Sequence, residues 1–165
     1  MDVTETAFGG TILIADELTQ RLAMFDGMAN PTGMLASTLS PVTMAASVEA
    51  VAATDRYVFV LDRDSREVTQ LDLSGRIVAT YGEEDLQLPV ALAVDECERI
   101  FVADGHRDGL FVSARSEFGA SSRAELPPEI VLAVTDLWMA GNELYVAAGA
   151  AGVRVFIVDP PCIGL

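Results

Sequence analysis

The chain has 165 residues, of which 51% are hydrophobic and 7% aromatic, enough for one domain with a core of its own. Its 25 acidic residues outnumber 10 basic ones, all of them arginine, for a net charge of −15. An acidic surface of this kind repels phosphate backbones and anionic lipid, so no nucleic acid and no membrane is expected as a partner, and no apolar run approaches the ~18 residues that a membrane helix needs.

In chain order, the opening MDVTETAFGG is acidic and has no apolar h-region, so no signal peptide is visible and a cytoplasmic protein is expected. Residues 1–10 hold a weak first strand before Gly9-Gly10. Strands follow at 11–16 and 21–26, separated by a polar turn. Residues 27–48 carry no charge. Pro31 and Pro41 exclude a continuous helix across that run, which reads as a loose strand at 34–39 and then a long connector.

The clearest stretch is 48–82, VEAVAATDRYVFVLDRDSREVTQLDLSGRIVATYG. β-Branched and aromatic residues at 48–54, 57–61, 67–73 and 76–81 alternate with gaps of Asp, Ser, Arg and Gly, which predicts four strands in an antiparallel meander. Further strands are expected at 90–94, 99–103 and 110–114, with a poor one within 116–124. The last unit opens at 130–140, with Trp138 expected to pack between neighbouring sheets. It continues at 143–147 and 153–158, and Pro160-Pro161 stops further pairing. Its missing fourth strand is absent or comes from elsewhere, the N-terminal residues being the only internal candidate. AAGAAG at 147–152 reads as a loose turn rather than a nucleotide loop.

The meander recurs. VFVLD, ending at Asp62, returns as IFVAD ending at Asp104, as ILIAD ending at Asp16, and without the acid as LYVAA ending at Ala148. The spacings are 46, 42 and 44 residues. A second landmark lies ten residues after the acid, Phe25-Asp26 and then Leu71-Asp72. One such sheet cannot bury both of its faces alone and must stack on copies of itself. Repeats of about 40–45 residues with four strands point to an all-β fold, a β-propeller or propeller segment of about four blades. Approximate blades are 1–47, 48–88, 89–129 and 130–165. Strand, acid, short polar turn and strand, as in 58–62 followed by 67–72 and in 91–95 followed by 100–104, resemble NHL-repeat propellers. A six-bladed ring of that kind would need roughly 250 residues, so an open arc is expected, with exposed terminal faces that favour self-association or completion by another propeller segment.

Asp16, Asp62 and Asp104 hold equivalent places. They are read as turn-capping carboxylates, as are Asp26, Asp72 and Asp159, in preference to a ring binding a hard cation. His106 is the sole histidine, so a multi-histidine metal site is excluded. Cys97 and Cys162 look like neither a disulfide framework nor a metal pair. No nucleophile with a His partner and no phosphate-cradling glycine loop is present. The expected function is therefore a non-catalytic scaffold, without a cofactor, that binds a protein or peptide partner through Arg63, Asp64, His106, Arg107 and Asp108 on rim loops. The alternative implied by resemblance is a gluconolactonase-like, metal-dependent propeller hydrolase. It would draw on Glu49, Asp95 and Asp136, with Asn30 and Asn142 poorly placed for it.

Overall fold

The computed structural model describes residues 2–5, 12–16, 21–26, 28, 30–34, 48–82, 85–105, 109–113, 121–124, 127, 130 and 133–159. The chain forms two compact units, Met1–Glu83 and Glu84–Leu165. Every sheet among the described residues is an antiparallel meander with its strands in sequence order.

The first unit opens with β1 (Asp2–Glu5), β2 (Ile12–Asp16), β3 (Arg21–Phe25) and β4 (Pro31–Met34), in that spatial order. β1 pairs with β2, Asp2 opposite Ala15. The N-terminal strand thus belongs to its own sheet and does not complete the last one. β4 begins at Pro31 rather than Met34, and Pro31 opens an edge strand, where a missing N–H is tolerated. The rest of the strand expected at 34–39 lies outside the described residues, as does most of the connector after it.

The second sheet holds β5 (Val48–Ala53), β6 (Tyr57–Asp62), β7 (Glu67–Asp72) and β8 (Ile77–Tyr81). Its sequence explains its burial. β6 reads YVFVLD, an unbroken apolar run rather than an alternation, and every residue from Val58 to Asp62 is buried. A strand covered on both faces needs apolar side chains at odd and even positions alike. On one face Val48, Val51, Val58, Val60 and Leu71 form a cluster that Met24 of β3 joins. The other face presents Phe59, Leu61 and Gln70, also buried. Each such aliphatic or aromatic side chain contributes roughly 1.5–3 kcal/mol of burial.

The second unit repeats the plan with β9 (Pro89–Val94), β10 (Ile100–Asp104), β11 (Gly109–Ser113) and β12 (Ser121–Ala124). A three-stranded sheet follows, β13 (Asp136–Ala140), β14 (Glu143–Ala147) and β15 (Val153–Ile157). Ala91, Ala93, Phe101 and Ala103 on one side, and Leu137, Leu144 and Val146 on the other, close one core. The AAGAAG run contains a single 3-10 turn, Gly149–Ala151, entered and left at positive φ by Gly149 and Gly152. None of the described helices is long and apolar enough to cross a membrane.

Candidate functional site

Three loops share one hydrogen-bonded design. Each starts with Asp and ends four residues later, and the Asp carboxylate accepts the backbone N–H groups of the third and fifth residues. Asp72 accepts from Ser74 N at 2.9 Å and Arg76 N at 3.0 Å. Asp95 accepts from Cys97 N at 3.0 Å and Arg99 N at 2.8 Å. Asp26 accepts from Met28 N and Asn30 N, both at 2.9 Å. The side chain of the fifth residue closes the second carboxylate oxygen: Arg76 Nε, Arg99 Nε and Asn30 Nδ2 respectively. The fourth residue takes positive φ where it is described, at Gly75 and Glu98. These carboxylates hold turns. The hydroxyl of Ser74, with the backbone N–H groups around it, holds the Asp72 carboxyl down to about 2, and the Asn30 side chain lowers Asp26 in the same way.

Asp62 and Asp104 end equivalent strands, and both are buried. Buried Asp62 caps its own turn, accepting Asp64 N at 2.8 Å and Ser65 N at 2.9 Å. Asp104 reaches back to the segment before β9, accepting Gln87 N at 2.8 Å and Leu88 N at 3.0 Å, while Gly105 N returns a bond to Leu88 O. The turn that Asp104 was expected to cap lies outside the described residues. The Asp104 carboxylate ties two loops of the unit together.

Arg63 and Asp64 sit at the exposed tip of the β6–β7 turn that Asp62 anchors. Arg63 Nη1 lies 3.4 Å from Glu49 Oε2 at the surface. His106, Arg107 and Asp108 lie outside the described residues. Among the described residues no group of three His, Cys, Asp or Glu side chains is arranged to hold a metal. Of the acids that a hydrolase would draw on, Glu49 pairs with Arg63, Asp95 with Arg99, and Asp136 accepts the N–H of Leu137. Asn30 is bound to Asp26. Asn142 is half-buried, and its backbone carbonyl accepts Val158 N.

Cys97 is disulfide-bonded, contrary to the expectation that the cysteines take no part in a disulfide framework. Cys162, the one other cysteine in the sequence, lies outside the described residues.

Sequence reasoning missed a surface on β13–β15. Trp138, Tyr145 and Val155 stand side by side across the three strands, with Val153 and Ile157 flanking them on β15. Trp138 is 62% exposed, Val153 60%, Val155 50% and Ile157 64%, so Trp138 is not packed between sheets as expected. The Trp138 and Tyr145 rings lie 5.3 Å apart, and Tyr145 Oη donates to Glu143 Oε2 at 2.7 Å, which raises the Tyr145 pKa. The signal was present in the alternation of DLWMA and ELYVA, whose other residues, Leu137, Leu144 and Val146, are buried.

No protein-family model matches the chain, and no curated protein matches it in sequence. Solved structures do match. The WD40 domain of Pan2 from Neurospora crassa superposes with a TM-score of 0.69 at 17% identity, over 98% of this chain and 47% of that one. The WD40 propeller domain of Doa1 gives 0.67 at 13% identity, over 96% and 51%. PorZ, a surface component of the type IX secretion system of Porphyromonas gingivalis, gives 0.62 at 14% identity, over 89% and 19%. The chain thus spans about half the length, or less, of the structures it resembles. At these identities the likeness is one of fold: the chain is an all-β segment of a propeller, built from successive antiparallel blades.

Proposed function

We propose that this protein is a non-catalytic propeller scaffold of the NHL type that binds a protein or peptide partner through its exposed turns. Arg63 and Asp64 supply one contact, and His106, Arg107 and Asp108 supply another. The observation that carries this reading is the division of labour in the β6–β7 turn. Buried Asp62 grips the backbone of Asp64 and Ser65, while the side chains of Arg63 and Asp64 stay exposed. A turn held from beneath presents its charges with little ordering cost on binding. The ion pair of Arg63 with Glu49 is a weak surface contact that a partner carboxylate can replace. The hydrolase alternative needs Glu49, Asp95 and Asp136 to converge on a metal, and their present hydrogen bonds and ion pairs favour the scaffold.

The test begins with a photo-crosslinking residue in place of Asp64 to capture the partner, followed by calorimetry of the purified pair. Arg63→Glu and the double change His106→Ala, Arg107→Ala are each expected to weaken binding about tenfold, equivalent to about 1.4 kcal/mol. A partner that binds both variants as tightly as the parent protein would refute the assignment of these turns.

A further inference from the structure

Two of the Asp loops are built alike except for the side chain at their third position. Asp72 N donates to Arg76 O at 2.9 Å, and Gly75 N to Asp72 O at 2.8 Å. The matching bonds of the other loop run from Asp95 N to Arg99 O at 3.2 Å and from Glu98 N to Asp95 O at 2.9 Å. Together with the carboxylate bonds, each loop is closed by its own backbone and by its first and fifth side chains. The third residue differs. Ser74 donates its hydroxyl to Asp72 Oδ1, whereas Cys97 commits its side chain to a disulfide. The Asp95 loop therefore does not need the Cys97 side chain for its shape. Burial divides the loop in the same way: Asp95 and Glu98 are each 3% exposed, while Cys97 is exposed. A disulfide within reach of solvent is open to attack by a thiolate, and such bonds are the labile ones.

We propose that the disulfide at Cys97 is a redox-controlled clasp, fastened to a loop that keeps its fold when the bond opens. The sequence holds one other cysteine, so a bond within the chain runs to Cys162, five residues past the end of β15 at Ile157. The clasp then ties the chain beyond β15 to the β9–β10 loop. Among the described residues β15 is paired on one side alone, and opening the bond frees its end. The reaction is thiol–disulfide exchange with a dithiol. One thiolate of the dithiol attacks Cys97 Sγ, the S–S bond breaks, and the Cys162 sulfur leaves as a thiolate. The second thiolate then displaces the Cys97 sulfur and closes the disulfide of the reductant. Two electrons pass to the protein, and its two sulfurs take up the two protons that the dithiol gives up. With the bond open, Cys97 holds the position from which Ser74 reaches Asp72. Its thiol becomes a donor to the Asp95 carboxylate, weaker than a hydroxyl. The clasp is separate from the Arg63–Asp64 turn, and its test needs no partner for that turn.

The folded whole chain is treated with dithiothreitol in the absence of denaturant, its thiols are blocked with iodoacetamide, and its peptides are mapped. Unreduced protein is expected to return Cys97 joined to Cys162. Reduced protein is expected to return both cysteines alkylated, with far-UV circular dichroism unchanged. Amide hydrogen exchange at Cys97 and Arg99 is expected to stay within about threefold of the oxidised protein, because Asp95 still holds both groups. Trypsin cleavage after exposed Arg154 of β15 is expected to quicken by about fivefold or more on reduction, through local opening of the freed strand. Cys97→Ser is expected to match the reduced protein in exchange and cleavage. If that variant fails to fold, reduction of the parent chain still decides. A Cys97 bond to any group other than Cys162, or a disulfide that yields to dithiothreitol only in denaturant, would overturn the proposal. So would loss of protection at Cys97 and Arg99 on reduction, or a cleavage rate at Arg154 that reduction leaves unchanged.

Discussion

Asp95 and Arg99 are joined twice: the carboxylate accepts both the backbone N–H and the guanidinium Nε of the residue four places on. The Asp95 side chain is fully buried and that of Arg99 nearly so. The same two bonds link Asp72 to Arg76, where the arginine is exposed. Burial is what separates the two loops. Asp95→Ala removes a buried carboxylate from a largely buried ion pair and is expected to destabilise the second unit by about 3 kcal/mol. Asp72→Ala leaves its arginine in water and costs less. Urea denaturation of both variants checks the order, and equal losses would show that burial is not the deciding factor.

The Asp72 loop also sets a pH dependence. Its carboxyl is held at about 2 in the folded protein, against an ordinary 3.8, first by the Ser74 hydroxyl and then by backbone N–H groups. A folded-state value below the unfolded one means that the unfolded chain takes up the proton first. The stabilisation is therefore complete above 3.8 and is lost as the pH falls towards about 2. Ser74→Ala removes the largest cause, so the Asp72 carboxyl is expected to titrate closer to its ordinary value, seen by NMR of the side-chain carbonyl. An unchanged titration in Ser74→Ala would refute the assigned cause.

Backbone conformation predicts two changes of opposite sign. Arg66 has φ 60° at the exposed end of the β6–β7 turn, whereas Gly75 has φ 83° in the next turn of the same sheet. A side chain in the left-handed region costs about 1 kcal/mol or more, which glycine avoids. Arg66→Gly is therefore expected to stabilise by about 0.5–1 kcal/mol after allowing for the added freedom of the unfolded chain. Gly75→Ala is expected to destabilise by about 1–2 kcal/mol. Shifts in the urea midpoint read both, and a loss of stability in Arg66→Gly would contradict the strain.

The disulfide at Cys97 gives a chemical prediction. Alkylation of the denatured, unreduced protein is expected to leave Cys97 unlabelled, and peptide mapping before reduction identifies the cysteine bonded to it. Disulfides persist in oxidising compartments, so this bond weighs against the cytoplasmic expectation drawn from the N-terminal sequence. Stoichiometric labelling of Cys97 without reductant would remove that weight.

Much of the fold was legible because it repeats. Strands such as Tyr57–Asp62 and Ile100–Asp104 combine β-branched and aromatic residues with a closing acid, and local chemistry fixes both the strand and its turn. What escaped was non-local. Asp62 and Asp104 look alike in sequence, and nothing local announces that the Asp104 carboxylate reaches Gln87 and Leu88, sixteen and more residues away. Trp138 was expected between sheets because a large aromatic ring in a strand is usually covered, but its neighbours in the fold are not local in sequence, and it is 62% exposed. Pro31 was read as excluding a helix and the strand was expected from 34, although its lack of an N–H suits the first position of edge strand β4. Of the proposed contact residues, Arg63 and Asp64 could be read from turn composition, while the bond that steadies them from Asp62 needed the backbone trace.

Amide hydrogen exchange on the dilute protein tests the repeated sheet most directly, because protection follows burial and pairing together. β6 and β10 are paired on both sides and covered on both faces, β14 is paired on both sides and covered on one, and β15 is an exposed edge. The predicted order of protection is β6 and β10 first, then β14, with β15 exchanging fastest. Early exchange throughout β6 or β10, or protection of β15 equal to theirs, would contradict a repeated sheet whose second strand is buried and paired on both sides.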